Sequence, residues 1–444
     1  MLLHSQISLS YTYYVSSIGN NEDSGSLSLP WRTIQHAIDN VNPGDLIIVE
    51  DGEYLPFHIT HSGNESQKII IKARNKHKAI ITGSEYYDKR DAGIHITADF
   101  INIDGFNIKC TGISTSKPGE RGIRLSGSPN EYRKGVIIQN NKVTGAEWVG
   151  ISTSYADDTT IQYNDISKTI IQHGIYIANS ADRPVIRGNI IHDNNQAGIH
   201  MNGDGENPGD GVISNALIEN NIIYNNTYGP SSSAINLDGV EHSIIRNNLL
   251  FNNHSQGISN FKGDGKKPSS HNKILNNTIV MSSSAHHALK FRNGSVYGYV
   301  RNNIIIQQGN GYSLAVDNLS MPGLDSDYNI IIHTTSPNQA VENFKNLSHW
   351  KEAENQDKHS FSISGISTEN ILNKLFVNPV NDDSFKYHLI STSPAIDMGQ
   401  VNNDAHSDIN EYNRPSGLGF DIGAYEFGAT DSLAIPTNIK ITRH

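Results

Sequence analysis

Leu217-Ile218-Glu219-Asn220-Asn221-Ile222-Ile223-Tyr224 returns 27 residues later as Ile244-Ile245-Arg246-Asn247-Asn248-Leu249-Leu250-Phe251. The second asparagine of each phrase belongs to a series, Asn141, Asn164, Asn189, Asn221, Asn248, Asn277, Asn303 and Asn329, at intervals of 23, 25, 32, 27, 29, 26 and 26 residues. Two positions after the first seven stands an apolar side chain: Val143, Ile166, Ile191, Ile223, Leu250, Ile279, Ile305. A period of this size in short β-branched segments means stacked coils, each unable to bury its apolar face without its neighbours. The chain is therefore expected to be an all-β solenoid.

Each coil opens on another phrase, a small residue followed by alternation: Gly122-Ile123-Arg124-Leu125, Gly150-Ile151-Ser152-Thr153, Gly174-Ile175-Tyr176-Ile177, Gly198-Ile199-His200-Met201, Ala234-Ile235-Asn236-Leu237, Gly257-Ile258-Ser259-Asn260, Ala288-Leu289-Lys290-Phe291. Period-two alternation places the second and fourth residues inside and the third outside. Second strands such as Val136 to Gln139, Val185 to Arg187 and Ile244 to Arg246 then run into the asparagine. Asparagine suits that corner because it tolerates left-handed backbone and its amide can bond the equivalent residue one coil away. Gln139, Gln162, Arg187, Glu219, Arg246 and Arg301 align on the second strand and read as a surface charge ladder worth well under ~1 kcal/mol per pair.

The 444 residues carry 45 acidic and 34 basic side chains, a formal charge of -11. That balance disfavours nucleic acid, which asks for a basic stripe, and anionic membranes. A lone Cys110 excludes an intrachain disulfide, and no run approaches the ~20 apolar residues of a membrane span. A soluble monomer is expected. Met1 to Ser10 lacks a basic n-region and reads as no more than the remnant of a signal peptide.

Four regions are expected: an N-terminal cap over residues 1–60, the coils over 61–330, a lateral and closing segment over 331–428, and a tail or linker over 429–444. Trp31, Ile34, Ile38 and Val41 share one face of a helix over Trp31 to Asn42, with Pro30 at its start and Asn42-Pro43-Gly44-Asp45 at its stop. Such a helix would cover the open end of the solenoid, and regular coils are expected from about Ile101. A helical stretch, Leu347 to Asn355, interrupts the C-terminal region, and Ile435-Pro436-Thr437-Asn438-Ile439-Lys440-Ile441 looks like the entry strand of a fibronectin-type module.

On these residues the chain resembles right-handed parallel β-helix proteins of the pectate-lyase-like superfamily. The entry Pro30-Trp31-Arg32-Thr33-Ile34-Gln35-His36-Ala37-Ile38, with Pro43-Gly44-Asp45 and Asp51-Gly52-Glu53-Tyr54, is similar to that of secreted members. The ending Ser393-Pro394-Ala395-Ile396-Asp397 with Asp421-Ile422-Gly423-Ala424-Tyr425-Glu426 is similar to their closing segment. The resemblance implies a right-handed parallel β-helix with an N-terminal capping helix and an irregular C-terminal cap. It also implies a carbohydrate-active protein, secreted or at the cell surface, and leaves the reaction open because chemistry lies in the site rather than the scaffold.

Two insertions, Gly203 to Gly211 and Gly263 to His271, follow the first strand of their coils and are expected to wall a groove. The outward residues of that strand would be its floor: Arg124, Tyr176, His200 with Asn202, Asn236 with Asp238, Phe261 with Lys262, and Lys290 with Arg292, bordered by His173 and His287. Coils stack at about 4.8 Å, so groups one to three coils apart span ~5 to 15 Å, the reach of one to three sugars. β-Elimination of an acidic polysaccharide would use His200 and Tyr176 for proton transfer, Asp238 as orienter or cation ligand, and Arg292, Lys262 and Lys290 on the substrate carboxylate. Arg124, His173, Asn202, Asn236, Phe261 and His287 would bind the rest of the chain. Hydrolysis between Asp204 and Asp238 is the rival reaction, and a non-catalytic glycan-binding surface is the rival of another class. Asp204, Glu206 and Asp210 concentrate hard oxygen ligands of the kind Ca²⁺ takes, outside any EF-hand spacing.

Overall fold

Isoleucine fills the inward positions so regularly that the core is a set of columns. Ile123, Ile151, Ile175, Ile199, Ile235, Ile258, Leu289 and Leu314 stack in one of them, all fully buried. Burying one such side chain is worth about 1.5–3 kcal/mol relative to leaving it in water, and each added coil repeats the gain. A computed structural model of the chain describes residues 10–82, 92–110, 120–228, 232–365, 367–377 and 387–429. The apolar start, residues 1–9, and the tail from 430 with its Ile435 to Ile441 run lie outside the described residues.

Three long parallel sheets of 10, 12 and 11 strands run the length of a right-handed parallel β-helix. One coil visits each in turn: Ile175–Ala178 in the ten-stranded floor sheet, Val185–Arg187 in the middle sheet, Ile190–His192 in the return sheet. Coils begin earlier than the sequence reading placed them. Leu46–Val49, Gly52–Tyr54 and Phe57–Ile59 already form a full turn, within the stretch read as cap. The capping helix is shorter than expected, Ile34–Asn40, because Thr33 caps it by accepting from the His36 N–H at 3.2 Å. Trp31 lies outside the helix, bridged to Val15 and stacked on Tyr13 at 4.7 Å. The expected C-terminal helix is present as Leu347–Glu354, with Asn355 ending it in left-handed backbone.

The asparagine series forms an unbroken buried ladder. Asn164 donates its backbone N–H and one amide N–H to Oδ1 of Asn189 (both 3.0 Å) and the other amide N–H to the Ile138 carbonyl (2.9 Å). The pattern passes coil by coil to Asn329, whose N–H ends on the Ser360 hydroxyl at 2.7 Å. Left-handed backbone belongs not to the ladder residue, as expected above, but to its predecessor: Asn140, Tyr163, Gly188, Asn220, Asn247, Asn276, Asn302 and Tyr328 all have positive φ. A second ladder, Asn194, Asn226 and Asn253, runs at the opposite end of the return sheet.

The C-terminal segment returns along the outside of the coils. Residues 361–365, 367–376 and 387–425 cover the outer face of the late return strands, where Leu249, Phe251, Ile304, Ile306, Ile330 and Ile332 are buried on the second side as well. Strands buried on both faces read as unbroken apolar runs, which accounts for Leu249-Leu250-Phe251 and Ile304-Ile305-Ile306. The same segment reaches the expected surface charge ladder at its later coils, where only Glu219 and Arg301 are buried. Glu219 is 4% exposed between Arg187 and Arg246, Lys273 pairs with Asp404, and Arg301 donates to Gln400. The closing phrases pack together around Arg414, fully buried against Glu426 and the carbonyls of Asp421 and Gly423. These contacts of the described residues lie on the middle and return sheets.

Candidate active site

The floor sheet presents two outward columns. One runs Arg124, Ser152, Tyr176, His200, Asn236, Ser259, Lys290; the other runs Ser126, Ser154, Ala178, Asn202, Asp238, Phe261 and ends beside Arg292. His173 and His287 stand one position before the small opening residue of their coils, as the phrase spacing requires. The expected floor residues thus share a face, but not a centre. Tyr176 and His200 are one coil apart, whereas three coils, about 14 Å, separate His200 from Lys290. Proton-transfer groups at one end and carboxylate-binding groups at the other cannot serve one bond.

The lower centre is a relay of neutral rings. The Ala197 N–H donates to Nδ1 of His173 (3.2 Å), so His173 carries its proton on Nε2 and gives it to Nδ1 of His200 at 2.9 Å. His200 then holds its own proton on Nε2, which is closed off from solvent and has no partner. Burial pushes His200 down to about 4, against a small opposing pull from Asp264, and drives His173 well below its ordinary value. The only lone pair of His200 is therefore spent on His173, which removes the base role expected of it. Tyr176 packs edge-on to His200 at 5.2 Å, and its hydroxyl accepts from Asn202 at 3.2 Å. Burial, with the carboxylates of Asp204, Asp264 and Asp238, raises the Tyr176 phenol and keeps it protonated.

Asp238 has a different task from the one expected. Its Oδ1 accepts from the N–H groups of Gly263 (2.7 Å) and Gly265 (3.0 Å), and its Oδ2 from that of Asp264 (2.7 Å). A Cβ at Gly263 would come within 2.6 Å of Asp238 Oδ2, and one at Gly265 within 2.7 Å of Gly239 Cα, so glycine is required for this approach. At 3% exposure and fully engaged, Asp238 anchors the wall rather than acting as a catalytic acid or cation ligand. The two insertions form that wall together: Gly205 N–H donates to the Asp264 carbonyl and Lys266 N–H to the Gly211 carbonyl.

The oxygen-rich loop does not gather its carboxylates. Asp204 accepts from the amide of Asn207, Asp210 accepts from the Val212 N–H, and Glu206 points into solvent. Among the described residues no three His, Cys, Asp or Glu side chains converge as a metal site, so Asp204, Glu206 and Asp210 do not act as one set. The hydrolytic pair, Asp204 and Asp238, fails for the same reason: Asp238 is committed to the wall.

The upper centre gathers Arg292 and Lys262, expected among the catalytic groups, with Lys290 and His287, expected to bind substrate. Lys290 is half-buried, with Nζ 5.6 Å from the Phe261 ring centroid, and burial together with the Arg292 charge lowers it to about 8. Arg292 is held by Glu342 (2.8 and 2.6 Å), which reaches back from beyond the last coil. His287 accepts from the Tyr312 N–H at 3.0 Å and is lowered by burial, Arg292 and Lys290 to about 4, so it is neutral. Lys262 lies just past its strand, exposed. Between the centres Ser233, Asn236, Ser259 and Gln256 form a chain of hydrogen bonds. Sequence reasoning missed Glu342 and Asp264, because neither lies on a floor strand.

The family description "Pel9A-like, right handed beta helix region" matches residues 13–303. Uncharacterized protein YwoF of Bacillus subtilis is 24% identical over 321 residues, 60% of this chain and 68% of that protein. Pectate lyase PEL9 of Emericella nidulans is 25% identical over 154 residues, 32% of this chain and 36% of that enzyme, so the chain spans about a third of its length. The crystal structure of pectate lyase Pel9A superposes with a TM-score of 0.61 at 16% identity, covering 95% of this chain and 97% of that one. At that identity the likeness is one of fold.

Proposed function

We propose that this chain, which belongs to the family of Pel9A-like right-handed β-helix proteins, cleaves an acidic polysaccharide by β-elimination, and that Lys290 is its base. The observation that carries the reading is an amine lowered to about 8 on the open face of the groove, beside a fixed guanidinium. Elimination needs three things: a base for the C–H next to the uronate carboxylate, positive charge to stabilise the carbanion that develops, and a proton for the leaving oxygen. At neutral pH about a tenth of an amine with that pKa is free, enough to act as a general base.

In the proposed step the Nζ lone pair of Lys290 takes the proton. The electrons left behind form the ring double bond as the neighbouring C–O bond breaks, and the new ammonium or a water returns a proton to the departing oxygen. Arg292 and Lys262 face the carboxylate, and Glu342 fixes the guanidinium plane. Phe261 offers a ring face beside Lys290 for a sugar to lie on.

Incubation with a panel of uronans should produce the ultraviolet absorbance of an unsaturated sugar, and Lys290→Ala should abolish it. New reducing ends without absorbance would discard elimination in favour of hydrolysis. Glycan retained with neither signal would make the protein a binding surface.

A further inference from the structure

Charge is not spread evenly along the groove. Its upper end carries Lys290, Arg292 and Lys262. The floor below it, from Tyr176 through His200 to Asn236 and Ser259, carries no formal charge: His173 and His200 are neutral, the phenol is protonated, and amides and hydroxyls complete the row. The wall over this neutral stretch is acidic on balance, with Asp204, Glu206, Asp210 and Asp264 against Lys266 and Lys267. The Asp264 carboxylate lies 3.4 Å from the Asn202 amide, and the Asp204 and Asp238 carboxylates also act on Tyr176. A second uronate here would meet like charge from the wall and no cation on the floor. A sugar carrying only hydroxyls would meet the Tyr176 hydroxyl, which has its own proton still to give, and the narrow exposed edges of the Asn202 and Asn236 amides, 4% and 7% exposed.

We infer that the Tyr176–His200–Asn202 stretch is a subsite for an uncharged sugar, so that the preferred substrate is a heteropolymer in which neutral sugars neighbour the uronate presented to Lys290. The placing of the uronate rests on the lyase reading above; the neutral subsite rests on its own geometry. About 14 Å between the two centres corresponds to two or three sugar residues along an extended chain.

Affinity electrophoresis in gels containing polygalacturonate, or a polymer alternating galacturonate with rhamnose, tests the inference with the full chain. The alternating polymer should be held at least tenfold more tightly. Asp264→Asn keeps the backbone N–H bonded to Asp238 and sits at the exposed rim, so it should fold; it should strengthen polygalacturonate binding about threefold and narrow the gap. Tyr176→Phe should weaken the alternating polymer severalfold, seen in turnover as a higher KM at unchanged kcat. Equal retention of both polymers, or an Asp264→Asn variant with unaltered polygalacturonate binding, would overturn the inference. If no polymer yields ultraviolet absorbance, the lyase reading falls, while the retention ratio still decides the subsite.

Discussion

The asparagine corner and the floor sheet are built from the same coils under opposite rules. At the corner every coil presents the same side chain, and each amide spends both its donors and its acceptor on neighbours. On the floor successive coils present a phenol, an imidazole, an amide, a hydroxyl and an amine, and buried polar atoms such as Ser152 Oγ and His200 Nε2 have no partner. Repetition marks the part that must satisfy itself, and variation with leftover hydrogen-bonding capacity marks the part that meets something else.

The strongest way to break the comparison is in the ladder. Asn221→Ala would strand two donors of Asn189 together with the Ile186 carbonyl, all buried. Chemical denaturation should show a loss of about 4 kcal/mol or failure to fold, with any folded remainder keeping its activity per molecule. Lys290→Met should do the reverse, lowering elimination by about 10²–10⁴-fold with a thermal midpoint within a few degrees of the parent. In the parent the rate should rise with pH and level off above about 8, since Lys290 must be unprotonated to accept a proton. A plateau reached by pH 6 would assign the base elsewhere.

A third test uses a self-satisfied ion cluster on the return sheet. Burial opposes the charge of His192, but Asp165 (3.2 Å) and Asp193 (2.6 Å) outweigh it and raise the imidazole to about 9. A folded pKa above the unfolded value of about 6.5 makes the contribution complete below that pH, and it is lost as pH climbs through 9. With two partly exposed carboxylates it should be worth about 1–2 kcal/mol, and His192→Gln should flatten the stability profile over that window without touching turnover. The smallest effect is expected from a chelator: with Asp204, Glu206 and Asp210 apart, removing divalent cations should leave the elimination rate within about twofold.

Much of this was legible in the chain itself. The intervals of the asparagines fix the coils, and alternation after Gly198 fixes that His200 faces outward while Ile199 and Met201 do not. The second ladder is equally visible, since Asn194, Asn226 and Asn253 each follow a member of the first by five residues. What sequence could not supply was whatever depends on a distant segment. Glu219 between two arginines looks the same whether it faces water or lies under residues 400–411. Asp238 looks catalytic until the Gly263 to Gly265 backbone folds over it. Lys290 reads as a simple cation because burial, which lowers it, is a property of the assembled coils.

One consequence of the ladder concerns length. Every ladder residue gives its backbone N–H and one amide proton to the next coil toward the C-terminal end and the other amide proton to a carbonyl one coil back, and the series is closed at Asn329 by the Ser360 hydroxyl and the Asp357 carboxylate. Cutting out or duplicating the chain between two asparagines therefore changes no type of bond along the axis. Lineages of such proteins are free to lengthen or shorten their grip on a polymer in whole-coil increments, independently of the chemistry at either end.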